Sequence, residues 1–287
     1  MIQSRTLKQL STGTFSLNRG AGTVTATVLL CFGMLGPLSA QPASPASAPA
    51  PGQRLTLCYE RADIKPWRRT DDTGLNFDLL RMAARRAQID VEFVNLPWKR
   101  CLLQLQTNEV QGVFAASFQP DRLALGAYPG GETPDASKRL HVDRYVLVRR
   151  KGEAVSWDGS QITQLQGSIG AQLGYSVVQA LRAMKLSVDD GSQTAPELLK
   201  KLQAGRIGAA ALGGSDALAL LGPDSPLSAQ FEVLPQPLTE KPYFLLLSHQ
   251  LLKSDARLAL RFWGSIGEAR QSPAYQALER EAHAKLQ

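Results

Sequence analysis

Short apolar runs alternate along this chain with stretches whose apolar residues recur at helical spacing, a pattern that predicts an α/β architecture with mostly parallel strands. Leu55-Thr56-Leu57-Cys58-Tyr59 reads as the first strand. Phe77 to Ala87 reads as the first helix, its apolar side formed by Leu79, Leu80, Met82 and Ala83. Val91-Glu92-Phe93-Val94 alternates as a strand, Cys101 to Leu105 carries a helix, and Gly112 to Ala115 a further strand. The second half repeats this order. Ser168 to Ala171 is strand-like, Ser176 opens a helix containing Val177, Val178, Ala180 and Leu181, and Ala209 to Leu212 is a strand. Between them Thr194-Ala195-Pro196-Glu197 has the form of a capping box: the threonine hydroxyl takes an orphan backbone N–H and the glutamate returns to the cap. The helix it starts has Leu198, Leu199 and Leu202 on its apolar side, and Gly205 supplies a left-handed stop. Tyr243 to Leu247 reads as a late strand, with Leu258 to Ile266 and Ala274 to Leu286 as closing helices.

An internal echo organises these elements. The segment from Leu105 to Ser117 can be laid over that from Leu202 to Gly214. Each is a helix end, a residue able to adopt positive φ (Asn108, Gly205), a short turn, and a strand running into a loop of small residues. Few identities support the overlay, so two unrelated helix-to-strand units also fit it. Taken as a repeat, it gives two lobes, with Ser117 and Gly213–Gly214 at comparable strand ends, the place where open α/β sheets bind ligands.

The first forty residues change the picture of where this fold works. Arg5, Lys8 and Arg19 are the only charges before Gln41, an apolar run spans Val24 to Leu35, and Leu38-Ser39-Ala40 closes it with small residues. A basic start, a short apolar stretch and a small-residue exit predict a secretory signal peptide over 1–40, cut near Ala40, and therefore a periplasmic location. The run is about a dozen residues, short of the roughly twenty that a spanning helix needs. Cys31 follows Leu30 where a lipoprotein signal would want a small residue. Residues 41–53, mostly Ala, Pro, Ser and Gln, read as a flexible tether. The folded unit then begins near Arg54 and is long enough for two modest lobes or one large domain.

Charge and motifs narrow the function classes. The formal net charge of +7 falls to +4 without the signal, since the 32 basic residues become 29 against 25 acids. Lys138, Arg139, Arg144, Arg149, Arg150 and Lys151 form a local basic cluster, but no interleaved aromatics accompany it, so a solvated face is expected and no nucleic-acid partner. His141, His249 and His283 have no spacing that joins them to cysteines or carboxylates in a metal site, and neither a Gly-x-Ser-x-Gly elbow nor a phosphate loop occurs. No cofactor, metal or catalytic residue is expected. Two cysteines, Cys58 and Cys101, follow the signal. An even count in an oxidising compartment suits a disulfide, and two buried free thiols are the other reading.

Ordered motifs then carry a resemblance. Gly74-Leu75-Asn76-Phe77-Asp78, Pro97-Trp98-Lys99-Arg100 and Ser117-Phe118-Gln119-Pro120-Asp121-Arg122 are followed by Gly167-Ser168-Ile169-Gly170, Gly174-Tyr175-Ser176 and Leu202 to Leu212. In this order and spacing the chain resembles the periplasmic solute-binding proteins of polar amino-acid ABC transporters (the family 3 type), as a divergent member. The resemblance implies a type II periplasmic-binding-protein fold: two lobes, each a mostly parallel sheet flanked by helices, joined by two hinge strands near Tyr145–Val148 and Leu234–Pro237. Lobe 1 would comprise 54–147 plus 237–287, and lobe 2 would comprise 148–236. Such a fold brings Cys58 and Cys101 together, favouring the bridge, which would contribute roughly 3–4 kcal/mol in the chain-entropy model.

The resemblance also implies a binding site. In amino-acid-binding relatives the segment matching Ser117 to Arg122 grips the ligand carboxylate, a role suited to a planar guanidinium with two parallel donors. A surface arginine paired with Asp121 is the plainer reading of Arg122, and a strand-end cap that of Ser117. Tyr175 and Ser176 match the carboxylate-binding turn of the second lobe, where Ser176 also suits a helix N-cap. Trp67 matches an aromatic wall over the ligand, with Tyr59 close to it; both also suit packing, as does Trp98. One position departs from the pattern. Relatives usually carry an acid where this chain has Gly213, to pair with the ligand ammonium. Asp216 lies three residues on, in a position to serve a helix cap, and Glu60, Asp63 or Asp78 are other candidates for the missing acid. The expected ligand is thus a small carboxylate-bearing solute, an amino acid or an organic acid. A monomer is expected to deliver it to a membrane permease. The alternatives are a binding protein that reports occupancy to a sensor receptor, and an enzyme of this fold performing elimination or hydrolysis on a small carboxylate.

Overall fold

Two β-α-β-α-β runs organise residues Gln53–Lys285, the part of the chain that the computed structural model describes. The first run is β1 (Gln53–Glu60), α1 (Leu75–Ala87), β2 (Ile89–Leu96), α2 (Trp98–Gln106) and β3 (Gly112–Ser117). After β4 (His141–Arg150) and a small hairpin of β5 (Ser156–Trp157) and β6 (Ile162–Thr163) comes the second run. It comprises β7 (Ile169–Gln172), α3 (Val177–Ala183), β8 (Val188–Ser192), α4 (Ala195–Gln203) and β9 (Ala209–Gly213). Helix α5 (Gly214–Leu221), the long β10 (Phe231–Leu247) and helices α6 (His249–Ser254), α7 (Ala256–Gln271) and α8 (Pro273–Ala284) complete it. The segments read as a signal peptide and, but for Gln53, a tether lie outside the described residues.

The sheet order β2-β1-β3-β10-β4-β9-β7-β8 reads the same from either end. β1 pairs in parallel with β2 and β3, and β7 in parallel with β8 and β9. Each triplet is flanked by one antiparallel strand, β10 against β3 and β4 against β9, and these two long strands pair with each other. Because side chains alternate across a sheet, each triplet has two apolar faces to cover. Leu55, Leu57 and Tyr59 of β1 pack with α1 and α7, whereas Cys58 packs on the other face with Leu102 and Leu105 of α2. Likewise Ala209 and Ala211 of β9 pack with Val177, Val178 and Leu181 of α3, and Ala210 and Leu212 with Leu198 and Leu202 of α4. Opposite faces of one strand thus hold opposite helices, as a βαβ crossover requires.

Local chemistry sets the ends. Thr194 Oγ1 accepts from the Glu197 N–H while the Glu197 carboxylate accepts from the Thr194 N–H, the expected capping box. Asn108 and Gly205 both take left-handed backbone, with φ of 63° and 67°, at equivalent turns of the two runs. Cys58 and Cys101 form a disulfide with a Cα separation of 5.6 Å, tying β1 to α2. One expectation needs correction: Tyr243–Leu247 is the end of a 17-residue strand, not a short strand of its own. Pro235, Pro237 and Pro242 hide its continuity in sequence, and the register of β10 on β4 shifts on both sides of Pro237. Among the described residues no helix is long and apolar enough to cross a membrane.

Candidate functional site

The two equivalent strand ends face one pocket. Its walls include Ser117 at the end of β3 and Gly213 at the end of β9, and it encloses about 530 Å³ of non-atom space with its mouth. Trp67, Arg122, Tyr175 and Ser176 also line it, as do Trp98, Glu60, Arg68, His141, Asp143 and Asp216. Of the residues that the resemblance assigns to ligand contact, only Tyr59 is elsewhere. Its ring is fully buried against Phe77 and Phe114 and its hydroxyl donates to Asp72 at 2.5 Å, so it is a core residue of the first run.

Arg122 stands in the turn after β3, where Pro120 opens a short 3-10 helix. Its guanidinium is buried, lies 5.3 Å over the Trp98 ring, and donates to the carbonyls of Ser117 at 2.6 Å and Gly174 at 3.0 Å. Trp98 is therefore both packed and at the site, a cation–π support rather than core alone. No ion pair among the described residues involves Arg122, so pairing with Asp121 is not its role. Asp121 instead accepts from Gln179. Ser117 Oγ donates to Ser176 Oγ at 2.8 Å, joining the two runs. Ser176 begins α3, but its hydroxyl makes no capping bond; Lys241 Nζ, from β10, lies 3.5 Å from it. Lys241 is held below its ordinary pKa by burial and by the Arg122 charge, and the sequence reading missed it.

At the other side two carboxylates, from Asp216 and Asp143, stand near Gly213. A methyl group on Gly213 would sit 3.4 Å from Asp216 Oδ2 and 3.9 Å from Asp143 Oδ2, so glycine leaves room for two carboxylates to approach. Asp216 is in the first turn of α5 and makes no capping bond. Burial pushes it up to about 7, with Glu60 and Asp143 adding to the shift and Arg68 opposing it. Burial likewise raises Asp143, against the N–H of Arg144 and hydrogen bonding from Ser215. Glu60 is spoken for: it receives Arg68 at 2.6 Å and the Tyr175 hydroxyl at 2.6 Å. Asp63 is exposed and bonded to Thr70, and Asp78 does not line the pocket.

Aromatic rings fix the remaining wall. His141 is sandwiched between Trp67, at 4.3 Å, and Tyr243, at 4.8 Å. Burial and the Arg68 charge push its pKa down to about 3, so it is neutral, and its Nδ1 is 3.0 Å from Asn76 Oδ1. Trp67 thus spends one face on His141, while its Nε1 donates to Ser215 Oγ at 3.0 Å across the pocket. Among the described residues no cluster of histidine, cysteine and carboxylate side chains could hold a metal ion. What the arrangement offers chemically is separated charge: two cations beside a serine pair, and two carboxylates beside Gly213.

Solved structures place this architecture. The chain is similar to an ancestral arginine-binding protein bound to glutamine, at 18% identity over 80% of this chain and 97% of that one, with a TM-score of 0.63. It is similar to a histidine kinase sensor domain with similarity to periplasmic binding proteins, at 16% identity over 81% and 96%, TM-score 0.64. It is also similar to the substrate-binding protein of an amino-acid ABC transporter, at 16% identity over 80% and 98%, TM-score 0.59. No family model matches the chain, and no curated protein matches it in sequence. The fold is the type II periplasmic-binding-protein fold.

Proposed function

We propose that this chain is an exported solute-binding protein whose pocket takes a small molecule bearing both a carboxylate and an ammonium group, an amino acid in the broad sense. The observation that carries this reading is the charge separation. A buried guanidinium without a carboxylate partner leaves donors that a ligand carboxylate satisfies bidentately. Asp143 and Asp216, crowded together and raised by burial, are relieved by a cation placed between them. Arg122 with Ser117 and Ser176 binds the carboxylate, the aspartates bind the amine, and Trp67 walls the space. Of the two expected ligand classes, amino acid and organic acid, this reading favours the amino acid.

Lobes at 54–147 plus 237–287 and 148–236 would close on the solute about β4 and β10, the two long strands that pair with each other between the triplets. Export is supported by the signal-like first forty residues and by the disulfide, which suits an oxidising compartment. Delivery to an ABC permease is supported by the likeness to a transporter's binding protein, and reporting to a membrane receptor by the likeness to a sensor domain. Thermal-shift screening of purified protein against amino acids and organic acids tests the ligand class. An amino acid should raise the melting temperature, and Arg122→Ala should abolish that rise. Stabilisation by amine-free acids alone would remove the aspartates from the site.

A further inference from the structure

The serine pair in the pocket wall has two cations beside it, Arg122 in the lining and Lys241 next to Ser176. Arg122 Nη1 lies 3.5 Å from Ser117 Oγ, Ser117 Oγ donates to Ser176 Oγ at 2.8 Å, and Lys241 Nζ is 3.5 Å from Ser176 Oγ. A hydroxyl pair, one from each run, is thus flanked by two cations. Neither takes part in an ion pair among the described residues. Asp143 is the register partner of Lys241 across β4 and β10, yet its carboxylate is turned to Ser215 and the Arg144 N–H instead. Holding two like charges in a half-buried place is unfavourable by itself and raises the local demand for anionic oxygen.

We propose that Lys241 is a specificity-determining residue that reads a second acidic group on the ligand, so that the pocket selects amino acids with an acidic side chain over their uncharged isosteres. This rests on the reading of the pocket as an amino-acid site. Arg122 is held from below by Trp98 and by two carbonyls, which fixes it for the first carboxylate. Lys241 comes from β10, the long strand that pairs with both β3 and β4, so an acid that engages both cations links the strand to the turn after β3.

Isothermal titration with L-glutamate against L-glutamine, and L-aspartate against L-asparagine, isolates one charge at constant shape. Wild-type protein should bind at least one acid about tenfold or more tighter than its amide, the worth of one charge-assisted contact. Lys241→Gln should remove that preference while changing amide affinity by less than about threefold, and Lys241→Arg should keep it. Equal or tighter binding of both amides by the wild type would overturn the proposal, as would an unchanged preference in Lys241→Gln. If the amides bind as tightly as the acids and Arg122→Ala abolishes that binding, the amino-acid site stands and Lys241 loses its role. If no amino acid binds, both fall.

Discussion

The loop after β3 and the loop after β9 are the same structural unit with opposite chemistry. Each follows a helix, a left-handed residue and a strand, and each enters the same pocket. The first ends in Ser117 and leads to a buried Arg122 without an acid partner. The second ends in Gly213 and leads to Asp216, with Asp143 beside it. A repeated scaffold has thus been given a cationic end and an acidic end, and the polarity of the pocket follows from which side chains sit on equivalent frames. The difference teaches that position in a fold fixes which residues face the pocket, while their charge is set residue by residue.

The cationic side should be the less tolerant. Arg122→Ala leaves the ligand carboxylate without its fixed fork and should weaken binding by about 3 kcal/mol, more than a hundredfold. Calorimetry of the variant, with its melting curve as a control for folding, decides this; a loss of less than fivefold would mean that the cationic end does not dominate binding. The scaffolds differ too, since only the first run carries a disulfide. Cys58→Ala with Cys101→Ala should lower unfolding free energy by about 2–4 kcal/mol in urea titrations.

The acidic side should show itself through pH. Asp216 has a folded pKa of about 7 against 3.8 ordinarily. For a carboxylate the raised value means that the native state holds the proton longer than the unfolded chain. Stability of the free protein should therefore fall as pH rises from about 4 to about 7 and level off above, and Asp216→Asn should flatten that slope. Binding of an amine should show the reverse dependence: affinity falls as pH drops below about 7, because the ammonium loses an ionised partner. Titrations at several pH values check both signs at once. A smaller effect is expected at the latch between the sides. Trp67→Phe keeps a ring against His141 but removes the donor to Ser215, and should speed ligand release a few-fold, about 1 kcal/mol. Smallest for binding is Thr194→Ala, which loses the capping box and about 1 kcal/mol of stability but should leave affinity unchanged.

Much of this fold was legible because alternating apolar runs and helical spacings are local. The first β-α-β-α-β run, all of the second but β8, the capping box and the left-handed turns at Asn108 and Gly205 came directly from such signals. β8 was not read, because Val188-Asp189-Asp190-Gly191-Ser192 lacks an apolar run and owes its place to pairing with β7. At the site, Arg122 and Ser176 were found through motifs, whereas Asp143 and Lys241 were not. Both lie on the long strands β4 and β10, far in sequence from either loop; sheet pairing brings Asp143 to the pocket and Lys241 next to Ser176. Tyr59 failed in the opposite way: its neighbour Glu60 lines the pocket, and strand alternation turns Tyr59 into the core. Gly213, read as a lost contact, is the space through which two acids enter.

The central claim is that one solute spans the two ends, and a crystal structure with the tightest-binding amino acid from the screen tests it most directly. The account predicts the α-carboxylate within hydrogen-bond distance of Arg122 and the serine pair, and the ammonium between Asp143 and Asp216. A ligand bound in the reverse orientation, or outside the pocket, would contradict it.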